Sequence, residues 1–183
     1  MDIRTANKSE YNEIRHFYHK VIDLMQDSEY HPAWKKGVYP SDAYLMESLE
    51  NDELLVGECN GEYVAAMIVN HKCNEDYKSV RWSVETEDCK VTIVHALCVL
   101  PTLHGKGIAG ALVRKVIEIA ENANQKAVRL DVLAGNLPAE RLYIKHGFQY
   151  VTTTQMYYED TGWTDFKLFE YVITDECHKA GTG

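Results

Sequence analysis

The chemistry-bearing stretch of this sequence is a loop with three glycines, His104-Gly105-Lys106-Gly107-Ile108-Ala109-Gly110, set between two apolar patterns. A β-rich run at 91–99 precedes it. After it, Ile108, Leu112, Val116, Ile119 and Ala120 recur at helical spacing, so the expected order is strand, loop, helix. The first backbone N–H groups of a helix lack intrahelical partners, and the helix dipole adds partial positive charge there, so the junction suits phosphate. Gly105 and Gly107 let the main chain approach an anion without intervening side chains. One candidate is a dinucleotide site, because 105–110 reads G-x-G-x-x-G and Asp131 follows at about the twenty-residue distance such a site uses. Against it, residues 100–104, Pro101 among them, separate the run from the first glycine, and Asp131 falls in the middle of a predicted strand over 126–134.

A second pattern lies downstream. Asn136, Ala139, Leu142, Tyr143, Lys145, Gly147 and Phe148 fit N-x-x-A-x-x-L-Y-x-K-x-G-F. Together with Leu97-Cys98-Val99-Leu100-Pro101 leading into 104–109, residues 91–151 resemble the GNAT superfamily of acyl-CoA N-acyltransferases, whose loop reads Q/R-x-x-G-x-G/A after a strand ending in Leu-x-Val-x-Pro. Gly107 and Ala109 match. His104 departs from the usual Gln or Arg, and an imidazole donates to phosphate more weakly and in a pH-dependent way.

The resemblance implies an α/β (α+β) fold: a mixed, mostly antiparallel sheet of about seven strands, helices on both faces, and a splay between the fourth and fifth strands. It further implies acetyl-CoA as acyl donor and a primary amine as acceptor, attacked directly. Bulged N–H groups at Leu97, Cys98 and Val99 would take the thioester carbonyl and the pantetheine arm. The diphosphate would lie across His104, Gly105, Lys106, Gly107, Ile108, Ala109 and Gly110. Tyr143 stands at the family's tyrosine near the departing sulfur, where a phenol of pKa about 10 can protonate a thiolate of about 8.5; the alternative is an ordinary core tyrosine. Asn136 is either a cofactor contact or a helix N-cap. His95 begins a His-Ala-Leu-x-Val run like that of the arylalkylamine branch, which has a base there. An imidazole near pKa 6.5 suits that task, and so does a hydrogen bond within the sheet. The Cys98 thiol is expected to be inert, because direct transfer needs no protein nucleophile. Trp34, Tyr39 and Tyr44 fall where the fold walls its acceptor site, with packing against the sheet as the alternative.

The 183 residues fit one domain, 1–174, followed by a loose tail at 175–183, and an apolar content of 45% supports a sizeable core. Net charge is -9 with no Lys/Arg-rich run, which argues against nucleic acid and anionic membrane and favours cationic amines. Five cysteines without a C-x-x-C pair give neither a disulfide framework nor a zinc knuckle, so no metal is expected and a reducing cytoplasm fits. The N-terminus carries no apolar signal core. Polyamine, aminoglycoside, amino acid, aromatic amine and protein N-terminus all remain open as acceptors, and a homodimer is common among proteins of this resemblance. A domain that binds acyl-CoA as a sensor is the non-enzymatic alternative.

The elements that must position these residues are legible from periodicity. A strand at 3–6, an amphipathic helix at 8–25, a helix at about 42–51 capped by Ser41, and a hairpin at 53–59 and 63–70 around Asn60-Gly61 come first. His16 and His19 are expected on or beside the polar face of the first helix, as solvated surface. Residues 74–90 read as a long or partly ordered connection. Strands at 91–99, 127–133, 148–157 and 165–173 and helices after 107 and at 137–146 complete the order, with the fourth and fifth strands parallel.

Overall fold

In the computed structural model, which describes residues 1–174, the chain runs β1 (Asp2–Thr5), α1 (Tyr11–Met25), α2 (Asp42–Glu50), β2 (Leu54–Cys59), β3 (Glu62–Asn70), β4 (Val91–Val99), α3 (Ile108–Asn122), β5 (Ala127–Leu133), α4 (Leu137–Lys145), β6 (Gln149–Tyr158) and β7 (Gly162–Val172). The seven strands form one sheet in the order β1-β2-β3-β4-β5-β7-β6. Every pairing is antiparallel except β4 with β5. This is the mixed sheet the sequence led us to expect. The expected tail at 175–183 lies outside the described residues.

Period-two alternation divides the core into two layers. Ala66 and Ile68 of β3 face α1 and α2, where Ile14, Tyr18, Val21, Leu45 and Leu49 close over them. Ala65 and Met67 face the other way, onto Leu112, Val113 and Val116 of α3. Each fully buried Leu, Ile or Val contributes roughly 1.5–3 kcal/mol over exposure. The β2–β3 turn places both Asn60 (φ 54°) and Gly61 (φ 79°) in the left-handed region. Such a turn matches the twist of the strands it joins. Ser41 caps α2, its Oγ accepting from the Tyr44 N–H at 3.1 Å.

Two expectations need correction. β7 starts at Gly162 rather than at 165, because Trp163 and Thr164 already pair with Tyr157 and Met156 of β6. Residues 74–90, expected to be a long or partly ordered connection, carry more order than that reading gave them. Two 3-10 turns, Glu75–Ser79 and Asp88–Lys90, bracket an aromatic anchor in which Tyr77 is buried and Trp82 packs against it with ring centroids 5.2 Å apart. The Trp82 ring also lies under the Arg129 guanidinium, 4.2 Å from ring centroid to Cζ. Polar composition concealed this anchor, since two aromatics and one cation are enough to hold the segment.

Arg129 and Glu170 are register partners on β5 and β7, and their side chains form a buried ion pair at 2.9 Å. The remaining Glu170 oxygen accepts the Ser83 N–H at 2.8 Å, and Arg129 also donates to the Val84 carbonyl. The pair therefore ties β5, β7 and the 74–90 segment together. Removing one member strands the other charge in a dry site. Glu170→Ala is expected to lower stability by about 3–5 kcal/mol, read from the urea midpoint, whereas the double variant Arg129→Met/Glu170→Leu recovers most of that loss.

Candidate active site

β4 and β5 remain neighbours for only three register pairs, Val91 with Ala127, Thr92 with Val128 and Ile93 with Arg129. Beyond them the strands part. β4 stays paired with β3, but the register shifts between Ala66–Cys98 and Ile68–His95, so two residues of β4 oppose one of β3. This is a β-bulge. Ala96 takes φ 48°, a left-handed conformation that costs a non-glycine residue about 1–2 kcal/mol. The buried Tyr18 phenol holds it there, its hydroxyl donating to the Ala96 carbonyl at 3.0 Å, and the half-buried Tyr39 packs in the same layer. The turn away from β5 is thus fixed from the α1 side.

The gap between the splayed strands is a cleft. Val94 to Leu97 form one wall, Asp131 to Leu133 the other, Asn136 with Ala139 and Tyr143 of α4 the floor, and Trp34, Tyr39, Tyr158 and Asp160 the rim. Tyr143 is buried against Phe148 (centroids 5.4 Å) and Phe169 (6.4 Å). Its hydroxyl meets no hydrogen-bond partner among the described residues. Burial first, and the nearby Asp131 charge second, push its pKa well above the usual phenol value, so the proton is retained.

Beyond the C-terminal end of β4, a 3-10 turn (Pro101–Leu103) leads into the glycine loop. Gly105 (φ 76°) and Gly107 (φ 79°) are left-handed, and a methyl group built on either would meet nothing within 4 Å. Gly107 is the N-cap of α3, and no side chain bonds the helix's first amides. Main-chain donors there face open space, as a phosphate cradle requires. Gly110 serves packing instead: an added Cβ would stand 2.8 Å from His146 Nε2. That imidazole donates from Nδ1 to the Leu142 carbonyl at 2.8 Å and accepts from Arg114 at 3.2 Å, locking α4 against α3.

The other singled-out residues distribute as follows. His104 turns back from the loop, and its Nε2 donates to the Val99 carbonyl at 3.1 Å. Lys106 is exposed, while Ile108 and Ala109 are half-buried against the α3-side core. Leu97 lines the cleft; Cys98 and Val99 point into the two core layers. Burial pushes the Cys98 thiol well up. The Asn136 side chain caps α4, accepting from the Ala139 N–H at 3.3 Å, and also borders the cleft. Trp34 and Tyr39 border it too, whereas Tyr44 stands behind Tyr39, stacked at 6.1 Å. His16 is exposed, but His19 is half-buried with a buried Nε2 that finds no partner among the described residues.

His95 borders the cleft, with Nε2 3.0 Å from Asn70 Oδ1, which also accepts the Lys72 N–H at 3.0 Å. Nε2 is therefore the donor. Burial, the largest effect, lowers its pKa to about 4, so the ordinary imidazole value used for the sequence does not carry over.

Asp131, Tyr158, Asp160 and Tyr18 escaped sequence reasoning as members of this site. Asp131 Oδ2 accepts both the Tyr77 hydroxyl (2.8 Å) and the Tyr158 hydroxyl (2.9 Å). Burial raises its pKa and the two phenols oppose that rise. The available signal was a lone acidic residue inside the apolar strand Val128–Val132.

A chain whose central strands splay beside an uncapped, glycine-opened helix is built as an acyl-CoA transferase domain is. The model of the acetyltransferase (GNAT) family matches residues 18–148, and the chain belongs to that family. It is 30% identical over 143 residues to an uncharacterized N-acetyltransferase of Archaeoglobus fulgidus, covering 78% of this chain and 89% of the relative. A GNAT-family acetyltransferase structure from Streptococcus agalactiae superposes with a TM-score of 0.77 at 17% identity, over 95% of this chain and 96% of that one. The structure of yncA from Salmonella typhimurium, solved with its cofactor acetyl-CoA, gives 0.69 at 17% identity, over 96% and 95%. Among the described residues no helix is long and apolar enough to cross a membrane.

His95 yields a pH-dependent prediction. Its folded-state pKa is depressed, so the unfolded chain binds the extra proton first, and the stability from burying the neutral ring is present above about 6.5 and lost as pH falls toward about 4. Urea midpoints measured across that window should fall more steeply for the wild type than for His95→Gln. Equal slopes would contradict the assignment.

Proposed function

We propose that this protein is an N-acetyltransferase that moves the acetyl group of acetyl-CoA to a primary amine by direct attack. What supports the reading is three features along β4 and its continuation: an α3 opened by glycine with no side-chain cap, a strand edge freed from β5, and, in the cleft that edge lines, a phenol whose hydroxyl has no partner among the described residues. Family membership and the acetyl-CoA held by a structural relative support it.

Acetyl-CoA, when bound, supplies the activated acyl thioester. In this reading the amides from Gly105 to Gly110 hold its diphosphate, with the α3 dipole adding to the attraction. The β4 edge from Val94 to Val99, free of β5, offers main-chain donors to the pantetheine arm and the thioester carbonyl. Asn136 borders that path while holding the start of α4. Asp131 receives the acceptor's ammonium and accepts the proton that leaves nitrogen, directly or through water. Tyr143 gives its proton to the departing sulfur as the C–S bond breaks and the C–N bond forms, and solvent restores it. His95 stays neutral at physiological pH and acts as a fixed dipole at the cleft wall rather than as the titrating base.

Three measurements test this. Acetyl-CoA should raise the melting temperature while NAD does not, because a ligand that binds only the folded state stabilises it. Gly107→Glu sets a carboxylate at the cradle and is expected to weaken CoA binding by at least about tenfold in calorimetry. Tyr143→Phe is expected to lower kcat by about a hundredfold with little change in acetyl-CoA affinity, followed as thiol release with a panel of amines. Tight CoA binding with no amine releasing thiol would replace catalysis with the sensor reading.

A further inference from the structure

We propose that the acceptor is an amine carrying a second cationic group, a diamine or polyamine or an amino sugar, with its reacting nitrogen at Asp131 and its second charge at Asp160. The inference rests on the acetyl-transfer reading and names the substrate class for the same cleft.

Its basis is an imbalance of charge. Asp131 and Asp160 both wall the cleft, and Asp160 also borders the depression that adjoins it outward along Pro32 and Trp34. Asp160 is only 6% exposed. Neither carboxylate has a cation within ion-pair distance among the described residues, although ten other salt bridges are formed elsewhere. Asp131 has two phenols, while Asp160 has only nearby main-chain groups, its own and that of Thr161, opposing the effect of its burial. Lys35 borders the depression and exerts a distant pull on Asp160 without pairing. A carboxylate withdrawn from water is costly unless a positive charge meets it. Burial raises the pKa of both acids, the direction expected of carboxylates awaiting a cation.

The walls between them suit such a ligand. Trp34, Tyr39 and Tyr158 follow one another with centroids 5.6 Å and 6.5 Å apart. Aromatic faces take methylene groups by apolar contact and ammonium groups by cation–π attraction. Tyr143, a buried residue whose hydroxyl finds no partner among the described residues, lines the same space. An acceptor bearing its own carboxylate beside the amine would meet two like charges. A simple alkylamine would leave Asp160 unpaired. The net charge of -9 further favours the approach of polycations.

The test compares 1,4-diaminobutane, butylamine and 4-aminobutyrate, which share a four-carbon chain, together with spermidine and kanamycin, using the full chain and acetyl-CoA. Thiol release gives kcat/KM, and calorimetry with CoA present gives binding of each amine independently of turnover. The diamine is expected to exceed butylamine in kcat/KM by about tenfold, the worth of one additional partly buried ion pair, and to exceed 4-aminobutyrate by more. Asp160→Asn should bring the diamine-to-butylamine ratio close to one, and Asp160→Glu should restore it in part. Spermidine ahead of kanamycin identifies a polyamine, and the reverse order an amino sugar. Equal rates for diamine and butylamine, a preference for 4-aminobutyrate, or a ratio unmoved by Asp160→Asn would overturn the proposal while leaving acetyl transfer intact. Asp160-dependent diamine binding without thiol release would sustain the cation site and overturn the transferase reading. Neither binding nor turnover of the diamine would overturn the site.

Discussion

One strained residue governs the geometry of this molecule. Ala96 sits in a left-handed conformation inside β4, its carbonyl taken by the Tyr18 hydroxyl. The bulge it makes turns β4 off the line of β5 after three paired residues. Without it the two parallel strands would continue side by side, and their main-chain groups would satisfy each other. With it, a strip of unpaired backbone and a cleft appear together in the centre of the sheet. The strain is offset by packing, because Tyr18 is buried in the α1 layer and cannot leave without opening the core.

Charge is then divided along the splayed strand and its continuation. Main-chain donors collect past the end of β4, where Gly105 and Gly107 are left-handed and no side chain caps α3. Acceptors collect in the cleft, where Asp131 and Asp160 lie among Trp34, Tyr39 and Tyr158. Under the proposed function, an anionic donor molecule and a cationic acceptor would be drawn to these separate regions, with Tyr143 in the cleft between. The Arg129–Glu170 pair keeps its charges to itself on β5 and β7, and among the described residues no cation pairs with the cleft carboxylates.

Much of this was legible in the residues. Glycines at 105 and 107, a helical apolar stripe after them and the run from Asn136 to Phe148 specify strand, loop and helix because each is a local rule. Asn60-Gly61 fixed its hairpin for the same reason. What stayed hidden depends on contacts far apart in sequence. The order of residues 74–90 comes from β5 and β7, which supply Asp131 to Tyr77, Arg129 to Trp82 and Glu170 to the Ser83 N–H. Asp131 read as a mid-strand acid, which it is, but only the splay turns that position into the wall of a cavity. Asn70, seventy residues into the chain, sets the hydrogen bond of His95, and no spacing rule connects them.

The central claim is that the open main chain of the glycine loop and the freed edge of β4 are together the seat of acetyl-CoA. Backbone amide hydrogen exchange, resolved to single residues with and without acetyl-CoA, tests it most directly. Slowed exchange concentrated at residues 105–110 and 94–99, with the surface near Cys73 and Trp82 unchanged, is the predicted pattern. Protection confined to that other surface, or no protection in the loop at saturating cofactor, would contradict the account.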